Sequence, residues 1–238
     1  MNKDIKKLSI AERKEMLSRE CAWEVRHHLS GNPHTSVEVL TKLSEDADEA
    51  VRQKVAHNPN TPTSVLEKLS RDEAWVVRWN VAKNPNTTTS ILEKLSKDKN
   101  RYVRLNVASN LNTSTSILEV LSKDEYWEVR YKVAINTTTT SSTLDILSED
   151  EDADVREAVS QRHHSSIFAL ERLSGDEFSG IRKCAVNNPS NIRIKEMVKV
   201  GVEENNLLYI ENVKISILDM SLLRSWEYRL FDIHLRKV

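Results

Sequence analysis

Apolar residues recur along the chain with a period of 26 residues. Most units have two leucines three residues apart, such as Leu66 and Leu69, and then two valines four residues apart, such as Val77 and Val81. Because spacings of three and four residues place side chains on one helix face, the pattern predicts two short amphipathic helices per unit. An arginine that follows an aliphatic residue marks about seven such units, at Arg26, Arg52, Arg78, Arg104, Arg130, Arg156 and Arg182.

Polar residues in the same phase predict where each helix begins and ends. Thr61 is expected to cap the first helix of its unit, with Pro62 at the first helical position. Asp72 is expected to cap the second helix. Asn84 is expected to end that helix in a left-handed conformation, and Pro85 cannot continue it. The first helix is short enough to be partly 3₁₀.

A single pair of short helices cannot bury its own apolar faces, whereas stacked pairs form a continuous core. The sequence therefore predicts an all-α protein, with residues 1–190 forming an α-solenoid. Residues 191–238 break the repeat and contain more large apolar side chains. We interpret them as a C-terminal cap over the last open core face, with a partner-binding element as the alternative.

The repeated motif resembles the leucine-rich repeat variant family of bacteria. This resemblance implies a right-handed superhelix of α-helices and short, often 3₁₀, helices, and its Asp and Val-Arg positions are also similar to HEAT-type repeats. Family units tend to be somewhat shorter, and one member type carries an iron–sulfur cluster segment that has no counterpart here. The sixth unit departs from the pattern at residues 160–168. The residues that carry the motif are Val77, Arg78, Val81, Ala82, Asn84, Pro85, Thr87, Leu92 and Leu95.

Composition removes several function classes. The 35 basic and 36 acidic residues give a net charge of −1, which disfavours a general nucleic-acid binder. Four glycines are too few for a glycine-rich nucleotide loop, and Cys21 and Cys184 match no metal spacing. We find no catalytic motif, signal peptide or apolar membrane span. We therefore expect a cytoplasmic protein that is not an enzyme and has no metal, cofactor or membrane partner.

Charged and histidine side chains have both structural and functional interpretations. The recurring arginines suggest phosphate binding, but a structural role is favoured because each follows an acidic residue by six positions, as Arg78 follows Asp72. Such pairs would staple neighbouring repeats, at about 0.2–1 kcal/mol each if partly exposed. Adjacent histidines such as His27 and His28 point about 100° apart and rarely share a metal. The acidic run 149–154 favours a solvated helix start over a docking patch.

The positions that vary between units are the informative ones for function. At 100° per residue, Trp75 and Trp79 point away from the stripe formed by Val77 and Val81. Four of the five tryptophans lie at these two repeat positions, which other units fill with residues such as Glu49 or Ser179. We predict an aromatic concave groove, with packing of the rings between units as the alternative. The candidate partner-binding residues are Trp23, Trp75, Trp79, Lys83, Arg101, Tyr102, Trp127 and Tyr131.

The leading functional hypothesis is a non-enzymatic scaffold that binds a protein or peptide segment, as an adaptor, a regulator or a toxin-neutralising partner. The alternative is a DNA-binding or DNA-repair protein similar to HEAT-like alkylpurine DNA glycosylases, in which aromatics stack on bases and basic residues meet phosphates. The net charge and the acidic residues Glu49 and Glu128 in the same register argue against it. A bilin-lyase-like HEAT enzyme has no support beyond the shared Asp and Arg pattern.

Overall fold

The computed structural model describes residues 23–191, and longer and shorter α-helices alternate along this part of the chain. The predicted all-α solenoid of two-helix repeats is confirmed there. The predicted C-terminal cap, residues 191–238, lies outside the described residues except for Asn191. The helices are α1 Trp23–Gly31, α2 Val37–Leu43, α3 Glu49–His57, α4 Thr63–Leu69, α5 Trp75–Lys83, α6 Thr89–Leu95, α7 Arg101–Ser109, α8 Thr115–Leu121, α9 Trp127–Ile135, α10 Ser141–Leu147, α11 Ala153–Ser160, α12 Ile167–Ser174 and α13 Ser179–Asn187.

The core is one continuous cluster that runs through all the described repeats. Leu66 and Leu69 from a short helix, and Val77 and Val81 from the next long helix, are at most 1% exposed, and their counterparts in other units join the same cluster. Neighbouring long helices pack side by side far more extensively than neighbouring short helices do. The long helices therefore form the more tightly packed layer. None of the described helices combines the length and the apolarity that crossing a membrane requires.

The predicted helix starts are wrong, because the polar side chains organise the preceding loops instead. Thr61 is buried, and its hydroxyl donates to the Val55 carbonyl at 2.5 Å, so α4 begins after it with Pro62 as the N-cap. Asp72 lies two residues before the N-cap Ala74 and accepts a hydrogen bond from the Ala74 N–H at 2.9 Å. The short helix α4 is α-helical rather than partly 3₁₀.

The predicted left-handed helix end is also wrong. Asn84 has extended backbone angles, with φ −68° and ψ 130°. Its side-chain amide donates to the carbonyls of Ala56 and Asn58 in the preceding unit, at 2.7 and 3.0 Å, and its Oδ1 accepts from the Asn86 N–H. The recurring asparagines therefore bind each unit to the one before it. This asparagine ladder comprises Asn58, Asn84, Asn110, Asn136 and Asn188.

The sixth unit keeps the same connection with a different residue. Arg162 occupies the ladder position there, and its Nη2 donates to the Asn136 carbonyl at 3.0 Å. Helix α11 is one residue shorter than its counterparts and ends with Gln161 in a right-handed helical conformation. The Nε of Arg162 is buried and has no hydrogen-bond partner within the described chain. A guanidinium therefore replaces the asparagine amide imperfectly.

The recurring arginines connect each unit to the next one. Arg104 Nε and Nη2 donate to the two carboxylate oxygens of Asp124, at 2.6 and 2.9 Å, while Nη1 donates to the Asp98 carbonyl at 2.8 Å. The stapling role that the sequence predicted is present, but the carboxylate partner lies 20 residues ahead rather than six behind. This arginine ladder comprises Arg26–Asp46, Arg52–Asp72, Arg78–Asp98, Arg104–Asp124, Arg130–Asp150 and Arg156–Asp176.

Candidate partner-binding surface

Four of the candidate aromatic side chains lie at the beginnings of long helices and face solvent. Trp23, Trp75 and Trp127 are the first residues of α1, α5 and α9, and Tyr102 is the second residue of α7. Their exposed fractions lie between 38% and 44%. Each of these rings can bury about 150–250 Å² in a contact, so together they offer a partner a large apolar area.

The aromatic candidates in the middle of the long helices are placed differently. Trp79 and Tyr131 are half-buried and pack against the continuous core. At 100° per residue, both side chains point away from the apolar stripe of their own helix. However, a neighbouring long helix lies beside each of them. These two side chains therefore contact the core and are less available to a partner than the four exposed rings.

A row of rings crosses three consecutive long helices. The centroids of Trp75 on α5 and Tyr102 on α7 are 5.7 Å apart, with the ring planes tilted by 32°. Trp127 begins α9 and makes an edge contact with Tyr131 on the same helix, at 6.4 Å between centroids. Tyr126 precedes Trp127 as the N-cap of α9. We call Trp75, Tyr102, Tyr126 and Trp127 the aromatic row.

Arg101 is held in the middle of this row. Its guanidinium carbon lies 4.9 Å from the Tyr102 ring centre and 5.0 Å from that of Tyr126, distances typical of cation–π contacts. Nη2 donates to the Tyr102 hydroxyl at 3.0 Å, and Nη1 is 3.6 Å from Glu128 Oε1. The hydrogen bond with Tyr102 and the negative charge of Glu128 raise the pKa of Arg101. Arginine stays charged in proteins in any case, and here its neighbours also position the guanidinium.

Tyr126 is the residue of this site that sequence reasoning missed. It stands at a repeat position filled by Asp48, Ala74 and Asn100 in earlier units, immediately before the position of Trp127. The repeat pattern assigns no role to that position. Its separation of 25 residues from Arg101, one residue less than a full repeat, is the signal that would have placed it beside the start of α7.

A shallow recess lies between α7 and α9, beside the guanidinium of Arg101. The carboxylate of Glu128 forms part of its wall, and Oε2 of that carboxylate is buried without a hydrogen-bond partner among residues 23–191. A buried carboxylate oxygen normally accepts a hydrogen bond, so this atom lacks the partner that such atoms usually have. The recess is lined by Arg101, Tyr102, Leu105, Tyr126, Glu128 and Val129.

Trp23 and Lys83 lie apart from the aromatic row. The Trp23 ring stacks on His27 at 4.7 Å, and its indole N–H donates to Asp48, which lowers the pKa of that carboxyl. The unit between Trp23 and Trp75 carries Glu49 at this position. Lys83 ends α5, and its Nζ lies 5.4 Å from the ring centre of Trp79. The eight candidate residues thus do not form one cluster.

Comparisons with known proteins agree with the architecture. The model of the family described as leucine rich repeat variant matches residues 49–74, the length of one unit. The solved structure of a leucine-rich repeat variant with a novel repetitive structural motif is 26% identical and superposes with a TM-score of 0.63. The match covers 77% of this chain and 73% of that one. A search of curated proteins finds no match. The resemblance to the leucine-rich repeat variant family, predicted from the repeated motif, is therefore confirmed by one matched unit and by the helical solenoid fold.

Proposed function

We propose that the chain is a non-enzymatic repeat scaffold that binds a protein segment on the aromatic row. The observation that carries this proposal is the pair of exposed, touching rings of Trp75 and Tyr102, at positions where the fold accepts other residues. The corresponding position of Trp75 holds Glu49 in one unit and Ser179 in another, with the helices intact. The rings are therefore available for binding rather than required for folding.

The residue types and their order support a binding role. Tryptophan, tyrosine and arginine dominate the energetics of protein interfaces. Arg101 is already held between Tyr102 and Tyr126, so its long side chain loses little conformational entropy when a partner binds. A preordered arginine on an aromatic platform is therefore an efficient anchor for a partner.

The size of the surface favours an extended segment over an enclosed small molecule. Packed helices lie about 8–10 Å apart, so the three helices α5, α7 and α9 span roughly 20 Å between their axes. An extended chain advances about 3.3 Å per residue, so about six or seven residues cross the aromatic row. The recess beside Arg101, with a volume of about 40 Å³, is too small to enclose a ligand and suits one anchoring group of such a segment.

The test is quantitative affinity capture from a lysate of the source organism. Wild-type protein is compared with Trp75→Ala and Trp127→Ala, and with Ile146→Ala as the control, because Ile146 is an exposed apolar residue on the short helix α10. Proteins retained by the wild type and the control but lost by both tryptophan variants would support the proposal. Equal capture by all four proteins would refute it. Salt-sensitive retention of nucleic acid instead would favour the DNA-handling alternative.

A further inference from the structure

The part of the aromatic row that lies over α5 and α7 is positively charged, although the whole chain is slightly acidic. Neither helix contains an aspartate or a glutamate. Their ladder arginines, Arg78 and Arg104, are engaged by carboxylates, which leaves Lys83 and Arg101 as the cations that face solvent. We call the surface formed by Trp75, Trp79, Lys83, Arg101 and Tyr102 the basic face.

The basic face has acidic neighbours on both sides. On one side, α3 begins with the exposed Glu49, and on the other, α9 carries Glu128. Beyond α9, α11 carries the exposed Asp154. These carboxylates would repel a long uniform polyanion such as nucleic acid at both edges. A short acidic stretch in a peptide, confined to the two helices, meets Lys83 and Arg101 and comes close to one carboxylate only, that of Glu128 beside Arg101.

Arg101 retains most of its hydrogen-bonding capacity. A guanidinium has five N–H donors. Among the described residues, only the bond from Nη2 to the Tyr102 hydroxyl lies within hydrogen-bond range, because Glu128 Oε1 is 3.6 Å from Nη1. The remaining donors match the geometry with which arginine binds carboxylates, and such charge-assisted bonds are about twice as strong as neutral ones.

Glu128 Oε2 offers a complementary acceptor beside the same guanidinium. It is buried and has no donor among the described residues, and because the Glu128 side chain is 34% exposed, a turn of its carboxylate toward the recess would let an N–H of the partner satisfy it. A peptide carries an N–H at every residue except proline, whereas a nucleic-acid phosphate carries none. The pairing of a free cationic donor with an unsatisfied acceptor therefore suits a peptide with an acidic side chain better than a phosphate chain.

We infer that the basic face binds an acidic peptide segment, whose carboxylate docks on Arg101 while an adjacent apolar side chain packs on Trp75 and Tyr102. This inference rests on the proposed function and names the chemistry of the partner. Because α5 runs about 1.5 Å per residue, Lys83 lies roughly 12 Å from the Trp75 end of the face. Lys83 therefore assists a second, more distant carboxylate rather than the one on Arg101.

The experiment is selection from a phage-displayed library of random heptapeptides on the full-length chain. Wild type is compared with Arg101→Gln and with Arg71→Gln. Arg71→Gln is the matched control, because Arg71 is also an exposed arginine, and it pairs with Glu67, four residues before it on the short helix α4. Wild type and Arg71→Gln are expected to enrich peptides rich in aspartate and glutamate. Arg101→Gln is expected to lose that acidic preference.

A second measurement leaves the protein unchanged. Replacing the acidic residue of a selected peptide with its amide counterpart should weaken binding to wild type by about tenfold, the effect of losing one charge-assisted hydrogen bond. The same replacement should change binding to Arg101→Gln little. Thermal melting followed by circular dichroism verifies that each variant is folded.

The outcomes separate this inference from the proposed function. Enriched peptides without an acidic preference, or an acidic preference kept by Arg101→Gln, would overturn the inference but leave a segment-binding scaffold if Trp75→Ala loses the peptides. No enrichment, or equal enrichment on Trp75→Ala, would overturn both. Binding of a labelled DNA duplex that both Arg101→Gln and Trp75→Ala abolish would assign the face to nucleic acid and overturn the inference.

Discussion

Arg104 and Asp124, which are 20 residues apart and lie in successive units, form a two-pronged ion pair with N–O distances of 2.6 and 2.9 Å. Their side chains are only 10% and 5% exposed. The same guanidinium donates to the Asp98 carbonyl. One side chain therefore connects the loop before its own helix with the loop before the next long helix.

Removing Arg104 should be costly, because Asp124 would be left as a buried charge without its partner. We expect Arg104→Ala to lower the free energy of unfolding by about 3–5 kcal/mol. Lys68→Ala is the control, because Lys68 and Glu45 form an exposed ion pair that should contribute about 1 kcal/mol or less. Denaturant unfolding measures both. Similar losses in the two variants would contradict the buried role of the arginine ladder.

Asn84→Gly distinguishes the observed helix end from the predicted one. A left-handed residue would tolerate glycine, whereas a side chain that bonds two carbonyls of the preceding unit has no substitute in glycine. We expect Asn84→Gly and Asn84→Ala both to lose about 2–3 kcal/mol of unfolding free energy, because buried carbonyls lose their donors. A stability of Asn84→Gly close to that of wild type would restore the left-handed interpretation.

Arg162→Asn should repair the irregular sixth unit. The substitution removes a buried Nε that has no partner within the described chain and supplies the amide used at the other rungs of the asparagine ladder. We expect a gain of about 1 kcal/mol in unfolding free energy, the magnitude of relieving one unsatisfied buried donor. Arg162→Ala, which removes the defect without supplying the amide, is the comparison. An Arg162→Asn variant less stable than wild type would show that the guanidinium is the better fit.

Asp176 should make stability sensitive to acid. Burial alone would raise the pKa of Asp176, but the hydrogen bond from Arg156 and the N–H of Phe178 outweigh it and lower the pKa below 3.8. Because the folded pKa is lowered, the carboxylate stabilises the fold above pH 3.8, and this contribution is lost as the pH falls through the folded pKa. Unfolding of wild type and Asp176→Asn, followed across pH, should show a difference that is constant near neutrality and shrinks below about pH 4. A stability difference between the two proteins that grows as the pH falls would contradict the lowered pKa of Asp176.

Trp75 and Trp79 should separate binding from folding. Trp75 is 41% exposed, whereas Trp79 packs against the core. We expect Trp75→Ala to change the unfolding free energy by about 0.5 kcal/mol or less, as for ordinary surface substitutions. Trp79→Ala should cost about 2 kcal/mol or more, because it leaves a gap beside the core. Thermal melting of the two variants compares them, and equal losses would mean that Trp75 is also structural.

The fold could be predicted from the sequence because the core depends only on the periodicity of the apolar residues. Leucine recurs at the Leu66 position in six successive units, and valine or isoleucine recurs at the Val77 position in seven, so their burial follows from spacing alone. The carboxylate that pairs with Arg104 could not be predicted in this way. Asp98 and Asp124 both recur in phase, and spacing alone cannot decide which of them forms the ion pair. That choice depends on the distance between neighbouring units, which the sequence does not contain.

The candidate surface was predictable only in part for a similar reason. A helical wheel gives the direction of Trp79 relative to its own helix, but not the position of the helix beside it. The helical wheel points Trp75 away from the core stripe, and the exposure of Trp75 and of its counterpart Trp127 agrees with that prediction. Tyr126 was missed because its contact with Arg101 crosses between units.

The two ladders point in opposite directions along the chain. Asn84 holds the unit before it, and Arg78 holds the unit after it, at fixed separations in sequence. Insertion or deletion of a block of 26 residues leaves every one of these separations intact. Insertion or deletion of a single residue within a unit instead disrupts the ladder contacts to the units on both sides. The protein can therefore be lengthened or shortened only in steps of one whole unit. In the same way, the units that carry the aromatic row can be moved along the array or duplicated.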